Sequence, residues 1–142
     1  MSVLFQGFKI NNLALKNRFM RSATWMGMAD AEGNCTREER EILAQLAKGE
    51  VGLITTGHIA VTPMGRAGAK QLTLYRDKQV TGFKDMVKAV HDNDARVMAQ
   101  LSHAGLFAPQ HIIGEMPGAP SATDAYPGCH VLTEMEIDGI TN

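Results

Sequence analysis

A chain of 142 residues, 44% hydrophobic and 20% charged, has the make-up of one domain with an ordinary core, which excludes disordered and fibrous classes. Fourteen basic against fifteen acidic residues leave a formal charge of -1, so no nucleic acid or anionic membrane is called for as a partner. Cys35 and Cys129 stand far apart with no Cys-x-x-Cys spacing, which argues against a zinc site or a disulfide framework.

The opening "MSVLFQGFKI" lacks the basic segment and long apolar run of a signal peptide, and no later run is long enough to cross a bilayer. With the unpaired cysteines, this reads as a cytoplasmic protein. "FKINNLALKNR" places two alternating stretches around Asn11-Asn12; asparagine tolerates positive φ, so a hairpin capping the core is predicted. A first buried strand follows over 18–23, then a loop rich in Gly, Asp and Asn. Thr36 and Glu39 form a capping box ahead of a helix running to about Lys48, with an apolar face of Ile42, Leu43 and Leu46 and a stop at Gly49. "VGLITTG" over 51–57 is a second buried strand. The residues from 58 to 71 read as loop. Phe83, Met86, Val87 and Val90 then recur at helical spacing, and "ARVMAQLS" over 95–102 is a third strand.

Strand, helix, strand, helix, strand is the pattern of a parallel sheet with right-handed crossovers. Neither Gly-x-Gly-x-x-Gly nor a Walker-type loop is present, so a (β/α) barrel competes well with a doubly wound sheet. A second capping box, Thr133 with Glu136, opens a final helix close to the end of the sequence. A closed eight-unit barrel takes about 250 residues, so this chain is expected to hold about three units of a larger protein.

Alternation along the third strand puts Val97, Ala99 and Leu101 toward helices and Met98, Gln100 and Ser102 toward a barrel interior. Gln100 then lies near the carboxyl end of its strand, where barrel enzymes build their sites. Its amide offers a donor and an acceptor, which suits either neighbouring backbone or a heterocycle edge such as the pyrimidine part of a flavin. His103 in "SHAG" is either a hydrogen-bonded structural histidine or a catalytic one. His58, at the end of the second strand, shares the same face. "SAT" at Ser22, Ala23 and Thr24 and "TTG" ending at Gly57 close their strands with small or hydroxyl residues, as either turn starters or a pocket rim. No histidine spacing suggests a metal.

"LFQGFKINNLALKNRFMRSAT", "EVGLITTG", "VTPMGRAG", "TGFKDMVKAVHDNDARVMAQLSHAG" and "PSA…LTEMEID" together resemble, in order and over essentially the whole chain, the Old Yellow Enzyme family of FMN-dependent NADH:flavin oxidoreductases. The resemblance implies an α/β fold, the N-terminal part (about three β/α units) of a TIM (β/α)8 barrel, with residues 1–142 forming a segment of one FMN-binding domain that ends before the barrel closes. It implies FMN as cofactor and NADH or NADPH as reductant, with hydride passed to an activated alkene such as an α,β-unsaturated carbonyl compound. Cofactor contacts would fall on Ser22, Ala23, Thr24, Gly57, His58 and Gln100, and the substrate pocket would include Trp25 and His103. Trp25 stands near the place where many relatives carry a potential-tuning cysteine or threonine, and Leu106 where "HAG" is often followed by arginine. The catalytic residues and the phosphate-binding loops of the family are expected beyond Asn142. A small-molecule substrate and a homo-oligomer are further expectations, as is weak or no FMN binding by the isolated chain. The rival expectation is a non-catalytic fragment that folds only by association with itself or with the rest of the protein.

Overall fold

The computed structural model describes residues 2–141. β1 (Phe8–Ile10) and β2 (Leu13–Leu15) form the expected antiparallel hairpin, with Phe8 opposite Leu15 and Asn11 at φ 51° in the turn. Their apolar side chains stand over the starting ends of the strands that follow. Phe8, Ile10, Leu15, Phe19 and Leu53 line a cavity of about 210 Å³ between hairpin and sheet.

The central sheet has three parallel strands in the order β3 (Met20–Arg21), β4 (Leu53–Ala60), β5 (Arg96–Ser102). β3 is much shorter than the run over 18–23 predicted from sequence. It pairs on one side only, through Met20 with Leu53 and Arg21 with Ile54, so Ser22 and Ala23 continue without a ladder.

α1 (Arg37–Lys48) and α2 (Asp77–His91) pack on each other and on one face of the sheet. Leu43 and Ala47, one turn apart, meet Ile54, Ile59, Met86 and Val90 in a single core. Burying each large aliphatic side chain contributes about 1.5–3 kcal/mol. α2 begins at Asp77, six residues before Phe83, the first of the periodic apolar residues. Gln79 explains this: its carbonyl oxygen accepts the N–H groups of Tyr75 and Arg76, satisfying donors ahead of the helix. After α1 the left-handed position is taken by Glu50 at φ 69°, while Gly49 stays right-handed at φ -75°.

β4 runs three residues past the predicted strand, and it is not regular. Thr55 pairs with Met98 and His58 with Gln100, so Thr56 and Gly57 together oppose Ala99 in a bulge. The Thr56 hydroxyl fills the gap in the ladder by accepting the Gln100 N–H at 3.2 Å and donating to Gly57 O at 2.8 Å. Beyond β5 come a short helix α3 (Gln110–Ile113), a parallel pair β6 (Gly118–Ala119) and β7 (His130–Val131), and α4 (Glu134–Thr141). No helix among the described residues is long and apolar enough to cross a membrane.

Candidate functional site

The bulge decides what faces the inner side of the sheet. Ile54 pairs with Val97, and both belong to the helix-side core. Strict alternation from Ile54 would send His58 to that same side. The extra residue reverses the parity, so Ile59 joins the core and His58 turns to the opposite face beside Gln100. Neighbouring strands lie about 4.8 Å apart, which sets these two side chains next to each other near the carboxyl ends of β4 and β5.

Gln100 is exposed, and its amide makes no hydrogen bond to a described residue. Of the two readings left open by sequence, pairing with neighbouring backbone is therefore absent, and both amide groups are available. Thr24 and Trp25 run along β4 so closely that a Cβ on Gly57 would lie 2.9 Å from Thr24 O and 3.2 Å from Trp25 Cα. Gly57 is thus demanded by the chain segment after β3. That segment is held locally by Thr24, whose hydroxyl donates to Ser22 O at 3.3 Å. The Trp25 ring, 56% exposed, stands edge-on to His58 at 6.1 Å between centroids.

The sequence-predicted residues Thr24, Trp25, Gly57, His58 and Gln100 therefore gather on one wall, with Ser22 and Ala23 leading into it. His103 is held apart in another way. Its ring lies against Gly65, where a Cβ would come within 2.6 Å of it, and its Nδ1 accepts the N–H of Gly105, itself at φ 55°. Burial pushes the His103 pKa below its usual 6.5. It also borders a separate cavity of about 310 Å³ with Leu101, Ser102 and Ile140.

One role and one residue escaped the sequence reading, the role being that of Thr56 inside the "TTG" already singled out. Thr56 carries the bulge, and Gln71, with 0% exposure, bridges several groups behind His58. The alternating Leu72-Thr73-Leu74 that follows Gln71 was the available signal of a buried segment; Ala60 bonds to Leu72 and Leu74 in the manner of an added strand.

An FMN ring fits the groups present. Its pyrimidine edge presents carbonyl acceptors around one N–H donor, and the free Gln100 amide beside the His58 ring offers complementary groups on one face.

Known proteins share this fold. The chain is 33% identical over 120 residues to an NADH oxidase of Thermoanaerobacter brockii, covering 83% of this chain and 18% of that protein. It is 32% identical over 144 residues to an NADPH dehydrogenase of Geobacillus thermodenitrificans, covering 96% and 41%. Among solved structures it matches the Old Yellow Enzyme homologue from Zymomonas mobilis, at 25% identity and a TM-score of 0.85, over 97% of this chain and 42% of that one. Morphinone reductase matches at 25% identity and a TM-score of 0.86, over 96% and 41%. The chain thus spans less than half the length of these relatives, and its three parallel strands are a segment of their (β/α)8 barrel. With the family model for NADH:flavin oxidoreductase / NADH oxidase matched over residues 3–140, the chain belongs to that family.

Proposed function

We propose that this chain supplies part of the flavin-binding wall of an FMN-dependent oxidoreductase that takes hydride from NADH or NADPH and passes it to an activated alkene, such as an α,β-unsaturated carbonyl compound. Residues 1–142 act as the N-terminal segment of a single FMN-binding barrel domain. Bound there, FMN supplies the hydride-transfer chemistry. The chain's own residues bind and orient: the Gln100 amide meets the pyrimidine edge, main chain from Ser22, Ala23, Thr24, Gly57 and His58 lines the ring, and Trp25 and His103 bound the substrate side. The residues that complete the reaction are assigned to the remainder of the protein.

The observation that carries this reading is the unpaired Gln100 amide, set beside His58 on the inner face at the carboxyl end of two parallel strands. The test is an FMN titration of the isotope-labelled chain followed by NMR, which detects weak binding. Resonances of Ser22, Thr24, Gly57 and the Gln100 side chain should move together, and Gln100→Ala should weaken binding about fivefold, the worth of about one hydrogen bond. Shifts scattered away from this wall, or none at millimolar FMN when the remainder of the protein is present, refute the assignment.

A further inference from the structure

We infer that the His58 side chain is a fixed hydrogen-bond donor to a carbonyl oxygen at the pyrimidine edge of the flavin, and that Gln71 is the positioning residue that sets its tautomer. This rests on the flavin-wall reading above and adds a side-chain role to a residue otherwise assigned only main-chain contact.

The orientation of the Gln71 amide is over-determined. Its Oε1 accepts the Ala67 N–H at 2.6 Å, a role that only the oxygen can fill. Its Nε2 faces His58 O at 3.3 Å and the Ser102 hydroxyl at 3.5 Å, both able to accept. Reversing the amide would set oxygen against oxygen at His58 and nitrogen against nitrogen at Ala67. The same Nε2 lies 2.9 Å from His58 Nδ1. An amide nitrogen only donates, so Nδ1 must present its lone pair, and the neutral ring carries its proton on Nε2. Gln71 is fully buried, so this bond is made without competition from solvent.

His58 Nε2 has no partner among the described residues. The bulge puts the ring on the face of Gln100, one strand away, with Trp25 edge-on beside it. A flavin edge offers acceptor, donor and acceptor in a row. The Gln100 amide satisfies one acceptor and the donor, which leaves one carbonyl for a second N–H. A ring with its proton on Nδ1 would turn a lone pair toward that carbonyl and repel it.

Long-range proton–nitrogen correlation of the imidazole nitrogens in the full chain reads the tautomer directly. The wild type should show His58 protonated on Nε2. Gln71→Glu, whose carboxylate accepts at the same place, should move the proton to Nδ1, and FMN affinity should fall about fivefold to tenfold for the lost bond. An Nδ1-protonated or mixed ring in the wild type overturns the inference, as does an unchanged tautomer in a folded Gln71→Glu chain. Where that variant does not fold, His58→Phe decides: an unchanged FMN dissociation constant overturns the donor role, and a weakened one supports it. If FMN moves Gln100 and Thr24 but leaves His58 Nε2 still, the donor role fails and the flavin wall stands. If FMN moves none of them even with the remainder of the protein present, the flavin wall fails first and the donor role with it.

Discussion

Glu39 occupies the third position of α1, where a carboxylate commonly reaches back to the capping residue's N–H. Here only half of the predicted capping box forms. Thr36 accepts the Glu39 N–H at 3.3 Å, but its hydroxyl is turned to Met28 O, and the Glu39 side chain is buried at 3% exposure with Oε2 unpaired. Burial pushes its pKa from 4.5 up to about 7. A carboxyl whose folded pKa is raised stabilises the protein fully below its unfolded value, and that contribution is lost as pH rises through the folded value. Thermal stability should therefore decline between about pH 4.5 and pH 7. Glu39→Gln should flatten that decline and raise stability at pH 8 by about 1–3 kcal/mol. Melting curves across this pH range check it; parallel profiles for the two proteins would sink the argument. The motif was legible in sequence, but its failure was not, because the burial of the Glu39 side chain away from the Thr36 N–H is decided by tertiary packing.

Among the elements, β4 carries the arrangement of the site. Its bulge requires Gly57, since a methyl there would meet the Thr24 carbonyl oxygen and the Trp25 backbone. Gly57→Ala should cost about 1–3 kcal/mol and displace Trp25 from His58, read as a lowered melting temperature with a changed tryptophan emission. A variant as stable as the parent would show that the strand and the segment after β3 are not so closely packed. α4 offers a contrast, because its predicted box is complete. Glu136 Oε2 accepts the Thr133 N–H at 2.7 Å and its hydroxyl at 2.9 Å, and Thr133 Oγ1 accepts the Glu136 N–H at 3.3 Å. The Thr133 N–H, with His130, lowers the Glu136 pKa from 4.5 to about 2. For a depressed carboxyl the stabilisation holds above the unfolded value and goes as pH falls through the folded one. Amide protection in α4 should thus hold from neutral pH down to about 4.5 and fade between there and about 2. Glu136→Ala should fray the helix at every pH, measured by hydrogen exchange.

At the scale of the whole molecule, β5 borders the sheet among the described residues, with large apolar groups in the open. Leu101 is 60% exposed although it shares the face of Ile59, and Met98 is 47% exposed on the other face. Phe107 at 80% and Met135 at 82% are exposed as well. Such an edge invites association. The chain should show a sedimentation coefficient that rises with concentration, and Leu101→Lys should reduce the rise; a monomer throughout the range would count against the expected oligomer.

Hydrophobic periodicity and turn chemistry act locally, and so the hairpin at Asn11, the two main helices and the parallel β-α order were all readable from sequence. The face of Gln100 was readable too, because β5 keeps strict alternation from Val97 to Ser102. His58 was readable as lying at the active end of its strand, but the side of the sheet that its ring takes was not. Alternation along β4 from Ile54 points it toward the helices, and only the pairing of β4 with β5 around Thr56 and Gly57 turns it to the site. Gln71 was hidden for the same kind of reason: its partners lie 4, 13 and 31 residues away and meet it only once the loop folds back on the strand ends. The sequence by itself determined which elements form and that polar groups end the strands. The tertiary structure decided which of those groups face one another, because a one-residue change of register inverts every later side chain in a strand.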